Sequence, residues 1–214
     1  MGVSKIKNID YNFYHWGPYL FKTKMPQYII DRLLIDGKKT TRNWNHQLAG
    51  HLKNQFEYEE KTQSWFCEEM QPMFRAYREG HCKYHAMDNL DVDYAMTSLW
   101  INYMKAGDYN PPHTHSDELS FVIFLDIPEE LTKEQLEFKG TGAAPGTLEF
   151  KYGEQARPQW ATTTSIVNPM AGDIYIFPAL LQHTVVPYKS DVTRISVSGN
   201  LKATNLHTFP ARYF

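Results

Sequence analysis

Beyond residue 90 the sequence consists of short runs rich in β-branched and aromatic residues, and this pattern restricts the possible fold more than any other feature. Runs of this composition, separated by turn-forming residues, are typical of β-strands. Seven such runs in a little over a hundred residues predict a β-sandwich or a β-barrel. The predicted strands are Ala95 to Met104, Leu119 to Ile127, Thr147 to Tyr152, Thr162 to Val167, Asp173 to Phe177, Thr184 to Val186 and Val192 to Ser198.

The region before these strands has a different pattern. Between about residues 26 and 85 apolar side chains recur at helical spacing, for example Ile29 with Leu33 and Phe66 with Met70. This spacing predicts an N-terminal helical layer against the strands. A second helical piece is predicted within the acidic, then glycine-rich stretch 129–145, which we expect to be a surface excursion.

The length of 214 residues suits one core, so residues 1–214 are predicted to form a single domain. Its barrel spans about residues 90–200, and its helical support spans about 26–85. The predicted fold is mainly β with helices, of the α+β class. Sequence does not decide the oligomeric state, nor whether the helical layer supports the barrel or forms a dimer interface.

Charge and cysteine content restrict the partners and the compartment. A formal net charge of −2 does not favour nucleic-acid binding, and no stretch approaches the twenty apolar residues of a membrane span. Cys67 and Cys82 are too few for a disulfide framework. We therefore expect reduced thiols and a cytoplasmic protein.

The segment 107–118 carries the densest set of metal-binding side chains. It contains His113, His115 and Asp117 between two predicted strands, and His183 lies far along the chain. Mononuclear iron sites for oxygen chemistry use three protein ligands on one face, commonly two histidines and a carboxylate. Residues two apart in an extended segment point the same way, so His115 and Asp117 can pair with His183. The same alternation places His113 beside His115, and the first two ligands stay ambiguous.

Arg194 and Ser196 follow His183 on the next predicted strand. A guanidinium presents a planar fork that binds a carboxylate bidentately, and a serine two residues on can add a hydroxyl donor. This pair predicts a clamp for a dicarboxylate beside the metal.

Together these motifs resemble the prolyl-hydroxylase-like branch of the 2-oxoglutarate and Fe(II)-dependent oxygenases. More narrowly, the chain is similar to oxygenases encoded by marine cyanophages, which implies the cytoplasm of the host cell. The resemblance rests on the glycine-to-acid pattern of 107–117, the strand at 119–122, the Gly-Asp-X3-Phe-Pro-X4-His run of 172–183, and Arg194-X-Ser196. The segment 45–50 resembles the phage group more weakly.

The resemblance implies a double-stranded β-helix, or jelly-roll barrel, and a dioxygenase that uses Fe(II), 2-oxoglutarate and O2. It implies a hydroxylase, with peptidyl proline as one possible substrate and succinate and CO2 as products. His183 would be the distal iron ligand and Arg194 would hold the far carboxylate of 2-oxoglutarate, with Tyr103 as a helper. The primary substrate, a peptide or a small metabolite, is not identified by the sequence.

One departure from the family pattern leaves two ligand sets open. Counted from Gly107, the family pattern places the first ligand at His113, and His115 then occupies the position where the family has an acid. If the pattern is moved by two residues, the histidine and the acid fall at His115 and Asp117. We favour His115, Asp117 and His183, because carboxylate ligation is usual for 2-oxoglutarate chemistry. The competing set is His113, His115 and His183.

Two other classes of function compete with this one. A cupin-like metalloprotein would use His113, His115, Glu118 and His183 without 2-oxoglutarate. A non-catalytic jelly-roll binding module would hold no metal at all.

Overall fold

The computed structural model describes residues 17–47, 49–50, 52–88, 92–153 and 163–204. Within these ranges the chain forms eleven strands and three α-helices. The strands are β1 (Phe21–Lys24), β2 (Arg42–Asn43), β3 (Gln55–Glu57), β4 (Tyr94–Met104), β5 (Asn110–His113), β6 (Leu119–Asp126), β7 (Leu148–Lys151), β8 (Thr164–Val167), β9 (Asp173–Pro178), β10 (Gln182–Val185) and β11 (Arg194–Ala203). The helices are α1 (Gln27–Gly37), α2 (Glu60–Tyr84) and α3 (Glu129–Glu137), with a 3₁₀ turn at Asn45–Gln47.

The strands form two antiparallel sheets that face each other. The larger has the order β1-β9-β6-β11-β4-β3-β2 and the smaller has the order β5-β10-β7-β8. Between them lies an apolar cluster in which Phe124 and Phe177 of the larger sheet meet Leu148 and Phe150 of the smaller. Two facing antiparallel sheets are the expected jelly-roll architecture, so the mainly β, α+β class is confirmed.

Helices cover the outer face of the larger sheet, as the spacing of apolar residues predicts. In α2 the buried side chains include Phe66, Met70 and Phe74, which lie on one face because they are four residues apart. Phe66 contacts Phe121 of β6 with ring centroids 5.6 Å apart. Each such side chain contributes about 1.5 to 3 kcal/mol on burial. The helical layer thus supports the larger sheet, which contains β11. No helix in the described ranges is long and apolar enough to cross a bilayer.

All seven predicted strands are present with small shifts of their ends, although Thr162, a predicted start, lies outside the described residues. Strands β1, β2, β3 and β5 were not predicted. The prediction of helix is wrong at β3, because β3 pairs with β4 and only that partner makes it a strand. β5 contains Pro111 and Pro112, and it lies at an edge of the smaller sheet, where proline's missing N–H is tolerated.

The Gly172-Asp173 pair has a structural role near the site. Gly172 has a φ of +82°, a conformation that glycine adopts without strain. Asp173 is fully buried and forms ion pairs with Lys22 at 2.9 Å and Lys24 at 2.6 Å. These contacts hold β1 to β9 and thereby support the strand that leads to His183.

Candidate metal centre and cosubstrate pocket

Three histidines meet at one end of the smaller sheet. His113 ends β5 and lies opposite His183 of β10 in the antiparallel register, while His115 follows two residues after β5. One ligand nitrogen from each of the three lies within 4.8 Å of the others. Strand pairing thus brings together residues seventy positions apart, which the sequence motifs place on separate strands.

Backbone carbonyls orient two of these rings. His183 Nδ1 lies 2.9 Å from the carbonyl of Leu181, and His113 Nδ1 lies 2.7 Å from the carbonyl of Pro111. A carbonyl only accepts, so each Nδ1 carries the proton and each Nε2 keeps its lone pair. The backbone N–H of His115 donates to the carbonyl of Ala179 at 2.9 Å, which holds that residue against the loop after β9.

The three imidazoles are neutral at physiological pH. Burial lowers the pKa of His183 to about 3 and that of His115 to about 4, with a further lowering from the neighbouring histidines. Burial also lowers the pKa of His113. A neutral imidazole is the form that binds metal, so the cluster is ready to act as a ligand set without losing protons.

Neither carboxylate of the motif belongs to this cluster. Asp117 Oδ2 accepts a hydrogen bond from Thr97 Oγ1 at 3.0 Å and lies in a separate outer groove. Glu118 Oε2 accepts from the backbone N–H of Ala203 at 3.0 Å. The structure therefore brings together His113, His115 and His183, the competing ligand set, and it does not bring Asp117 or Glu118 to them.

An inner cavity extends from the histidines between the two sheets. Its empty space is about 590 Å³, including its mouth. The walls near the histidines are mostly apolar, and polar side chains are confined to strands β3, β4, β5 and β11. The lining residues are Leu52, Gln55, Trp100, Asn102, Met104, Asn110, His113, His115, Val122, Phe124, Leu148, Phe177, His183, Val185, Arg194, Ser196 and Ser198.

Arg194 lines this cavity without an anionic partner. Its side chain is 3% exposed, its Nη1 donates to the carbonyl of Gly146 at 2.9 Å, and its guanidinium lies 5.6 Å from the ring centre of Phe124. Its Nε has no hydrogen-bond partner, and no described carboxylate pairs with it. Burial lowers the pKa of Arg194 to about 10, which leaves it charged at pH 7. A buried, unpaired cation is costly, so the site favours an anionic ligand.

Ser196 lies where the alternation of β11 predicts, buried and facing the same cavity as Arg194. Sequence reasoning missed two polar neighbours, Asn102 and Gln55, which lie opposite each other in the β3–β4 register. Gln55 Oε1 is buried without a partner, and so is Asn110 Oδ1. Asn102 could have been noticed in the sequence because it is the one amide side chain within the mostly apolar run of β4.

Tyr103 lies on the other face of β4 from Asn102 and Met104. It packs against Phe56 with ring centroids 6.3 Å apart, on the helix side of the sheet. Alternation along a strand sends adjacent side chains to opposite faces. The structure therefore does not bring Tyr103 to the inner cavity.

One protein-family model matches the part of the chain that carries the candidate site. Residues 98–200, which include all three histidines and Arg194, match the model of the family described as "Putative 2OG-Fe(II) oxygenase". This match covers just under half of the chain. No curated protein sequence matches the chain. The predicted resemblance to the superfamily is confirmed, and so are Fe(II) and 2-oxoglutarate as the cofactor and cosubstrate of the matched family. Similarity to cyanophage proteins stays a prediction.

Solved structures share the fold of this chain at low sequence identity. A Pseudomonas putida prolyl-4-hydroxylase is 13% identical with a TM-score of 0.54, covering 86% of this chain and 91% of that chain. HygX from Streptomyces hygroscopicus, solved with nickel, 2-oxoglutarate and hygromycin B, is 8% identical with a TM-score of 0.58, covering 87% and 83%. The epimerase SnoN from nogalamycin biosynthesis is 13% identical with a TM-score of 0.54, covering 90% and 88%. The jelly-roll fold is thereby confirmed.

Proposed function

We propose that this protein is a 2-oxoglutarate-dependent hydroxylase that holds Fe(II) with His113, His115 and His183. The observation that carries the proposal is the buried Arg194, unpaired and lining the same cavity as three neutral histidines. A metal site alone fits many reactions. A metal site together with a buried cation fits a cosubstrate with two carboxylates.

Charge balance favours this ligand set. Three neutral imidazoles leave the full 2+ charge on a bound Fe(II), and Arg194 adds one positive charge in the same low-polarity cavity. The dianion 2-oxoglutarate brings two negative charges, so it offsets most of this excess. With Asp117 as a ligand, the site would carry one positive charge less and would require less negative charge from the cosubstrate. The Asp117 carboxylate instead accepts a hydrogen bond from Thr97.

The residues of the inner cavity hold and orient the cosubstrate in this proposal. Arg194 and Ser196 bind the carboxylate far from the metal, and the keto acid end faces the histidines. Apolar side chains such as Val122, Leu148 and Phe177 exclude water from the reacting groups. When bound, iron and 2-oxoglutarate supply the activation of O2, in which R–H, O2 and 2-oxoglutarate give R–OH, succinate and CO2.

Hydroxylation is proposed because it is the simplest outcome of this chemistry, and solved relatives of the fold include both a prolyl-4-hydroxylase and an epimerase. The competing cupin-like function without 2-oxoglutarate is disfavoured by Arg194, since such a metalloprotein has no use for a buried unpaired guanidinium. A non-catalytic module is disfavoured by the same pairing of arginine and histidines.

The test is anaerobic reconstitution with Fe(II), followed by titration of 2-oxoglutarate while recording the visible metal-to-ligand charge-transfer band. We expect the band in the wild type and in Arg75→Met, which removes an exposed arginine on α2. We expect it to be weak or absent in Arg194→Met at the same 2-oxoglutarate concentration. Bound Fe(II) without any band in the wild type would overturn the proposal and favour the cupin-like function.

A further inference from the structure

A second cavity, the outer groove, adjoins the metal centre on the side away from Arg194. It holds about 820 Å³ of empty space including its open mouth. Trp100 and His115 line both the inner cavity and the outer groove. A molecule in the outer groove would therefore lie beside the histidines without occupying the cosubstrate pocket.

One wall of the groove is aromatic and firmly held. Trp44 and Trp100 are stacked with ring centroids 6.4 Å apart and planes 30° apart, and Trp100 lies 6.0 Å from His115. Trp100 is fixed because its Nε1 donates to Asn102 Oδ1 at 3.0 Å. Trp44 is half-buried, and its backbone N–H donates to the carbonyl of Gln55 at 2.9 Å. These rings form an aromatic platform that leads to the three histidines.

The remaining walls carry short neutral polar groups and one carboxylate. Hydroxyls of serine and threonine and the amides of Gln47 and Asn200 surround the platform. Asp117, half-exposed, is oriented by Thr97 Oγ1 at 3.0 Å. Within the described residues no lysine or arginine lines the groove. The single carboxylate and the electron-rich faces of the indoles favour a cation and disfavour an anion.

We infer that the outer groove binds the primary substrate as a sugar ring bearing a protonated amine, which deepens the proposed function and rests on it. The apolar C–H face of the ring lies on Trp44, whose negative π-face attracts the partly positive hydrogens. The hydroxyls of the sugar bond with the surrounding polar side chains, and the ammonium pairs with Asp117. A peptidyl proline would use the aromatic wall, but it would bring no ammonium to Asp117 and no hydroxyls to the polar side chains of Gln47, Thr114 and Ser116.

The experiment uses the full chain loaded with Ni(II) and 2-oxoglutarate, which prevents turnover, and measures binding by saturation-transfer NMR and tryptophan fluorescence. The probes are a β-linked glucosamine disaccharide, its N-acetylated form, the matched glucose disaccharide, a galacturonate disaccharide and a glycyl-prolyl-glycine peptide. We expect the glucosamine disaccharide to bind at least about tenfold more tightly than every other probe. N-acetylation removes the charge from the ligand, so the role of the ammonium is tested without altering the protein.

Two variants locate the binding to the groove. Trp44→Ala should weaken glucosamine disaccharide binding at least about tenfold, whereas Trp65→Ala, a half-buried tryptophan that contacts Arg32, should not. Asp117→Asn should make the glucosamine and glucose disaccharides bind alike, whereas Asp126→Asn, at an exposed carboxylate, should keep the preference. Binding of Ni(II) and 2-oxoglutarate by each variant checks its fold.

Three results would overturn the inference. These are tighter binding of the peptide or the galacturonate, equal binding of the N-acetylated form, and no sugar binding by a protein that binds Ni(II) and 2-oxoglutarate normally. The last leaves the proposed function intact. If the wild type fails to bind 2-oxoglutarate, that result contradicts the proposed function. Sugar binding can then still be measured on the protein loaded with Ni(II) alone, so the two failures are distinguished.

Discussion

The inner cavity and the outer groove are built from the same two strands, yet they have opposite electrostatic character. Along the β4–β11 pair, Arg194 lies opposite Met104 at the inner end, and Asn200 lies opposite Ser98 at the outer end. Six residues of strand separate the two ends, about 20 Å at 3.3 Å per residue. The inner end is apolar around one buried cation, and the outer end is polar around one half-exposed carboxylate. Two ligands of different charge can therefore approach the histidines from opposite sides without competing.

The largest effect should come from the histidines where the two regions meet. His183→Ala removes a buried ligand, so we expect Fe(II) affinity to fall at least about 100-fold in a competitive metal titration. Asp117→Ala should change it less than about threefold, as should His46→Ala, which removes an exposed histidine. A large loss of iron affinity in Asp117→Ala would support His115, Asp117 and His183 as the ligand set. Asp117 would then belong to the metal site and not to a separate outer groove.

Selectivity among keto acids isolates the inner cavity. Arg194→Met should weaken 2-oxoglutarate binding by about 2 to 4 kcal/mol, roughly 30-fold to 1000-fold, because a buried charge pair is lost. Binding of 2-oxobutyrate, which lacks the far carboxylate, should change little. Calorimetry on the anaerobic Fe(II) protein measures both constants. Equal losses for the two keto acids would mean that Arg194 supports the fold rather than the far carboxylate.

Acid should destabilise the metal-free protein through the buried histidines. The pKa values of His183 and His115 lie at about 3 and about 4 in the folded chain, below the ordinary value of 6.5. As the pH decreases below 6.5, these histidines therefore bind protons in the unfolded chain before they do so in the folded chain. The free energy of unfolding has its full value above pH 6.5 and falls as the pH decreases toward 4. At pH 5 the loss is about 2 kcal/mol for each histidine. Urea unfolding at several pH values measures this loss of the free energy of unfolding. The loss should be smaller in His183→Gln than in the wild type, and an equal loss in the two proteins would assign the effect to other groups.

The smallest effect concerns the stability cost of the buried cation. In the metal-free protein Arg194 has no anionic partner, so Arg194→Met should raise the free energy of unfolding by about 1 to 2 kcal/mol in urea. Asp117→Asn should change it by less than about 0.5 kcal/mol, because that carboxylate is half-exposed. Destabilisation by Arg194→Met would show that the bond from Nη1 to Gly146 outweighs the cost of burial.

The strands that form the centre of the sheets were predictable because their composition is intrinsically suited to them. β4, β6 and β9 are runs rich in apolar residues, and β11 alternates Ile195 and Val197 with serines, so all four satisfy both local preference and burial. β3 and β5 were not predictable in the same way, since one is a three-residue segment with two polar residues and the other contains two prolines. These two become strands only because β4 and β10 offer hydrogen-bonding partners.

The candidate site also contains residues that the local sequence predicts and residues that depend on distant partners. His113, His115, His183, Arg194 and Ser196 were all identified from motif chemistry and from the alternation of side chains along a strand. The sequence could not choose between His113 and Asp117, since both lie two residues from His115 and alternation places them on the same side. Nor could it connect Gln55 or Trp44 with the site, because nothing local relates them to residues forty or more positions away.

By itself the sequence determined that the chain forms a β-rich barrel with a helical layer and that it carries histidines and an arginine suited to a metal and a dicarboxylate. These properties follow from side-chain chemistry and local periodicity, which need no knowledge of distant neighbours. Tertiary structure alone decided which three side chains converge, because the pairing of β5 with β10 places His113 opposite His183, while Asp117 hydrogen-bonds with Thr97. It also placed the two tryptophans beside the histidines, since sheet pairing joins β3 and β4 across more than forty residues of chain.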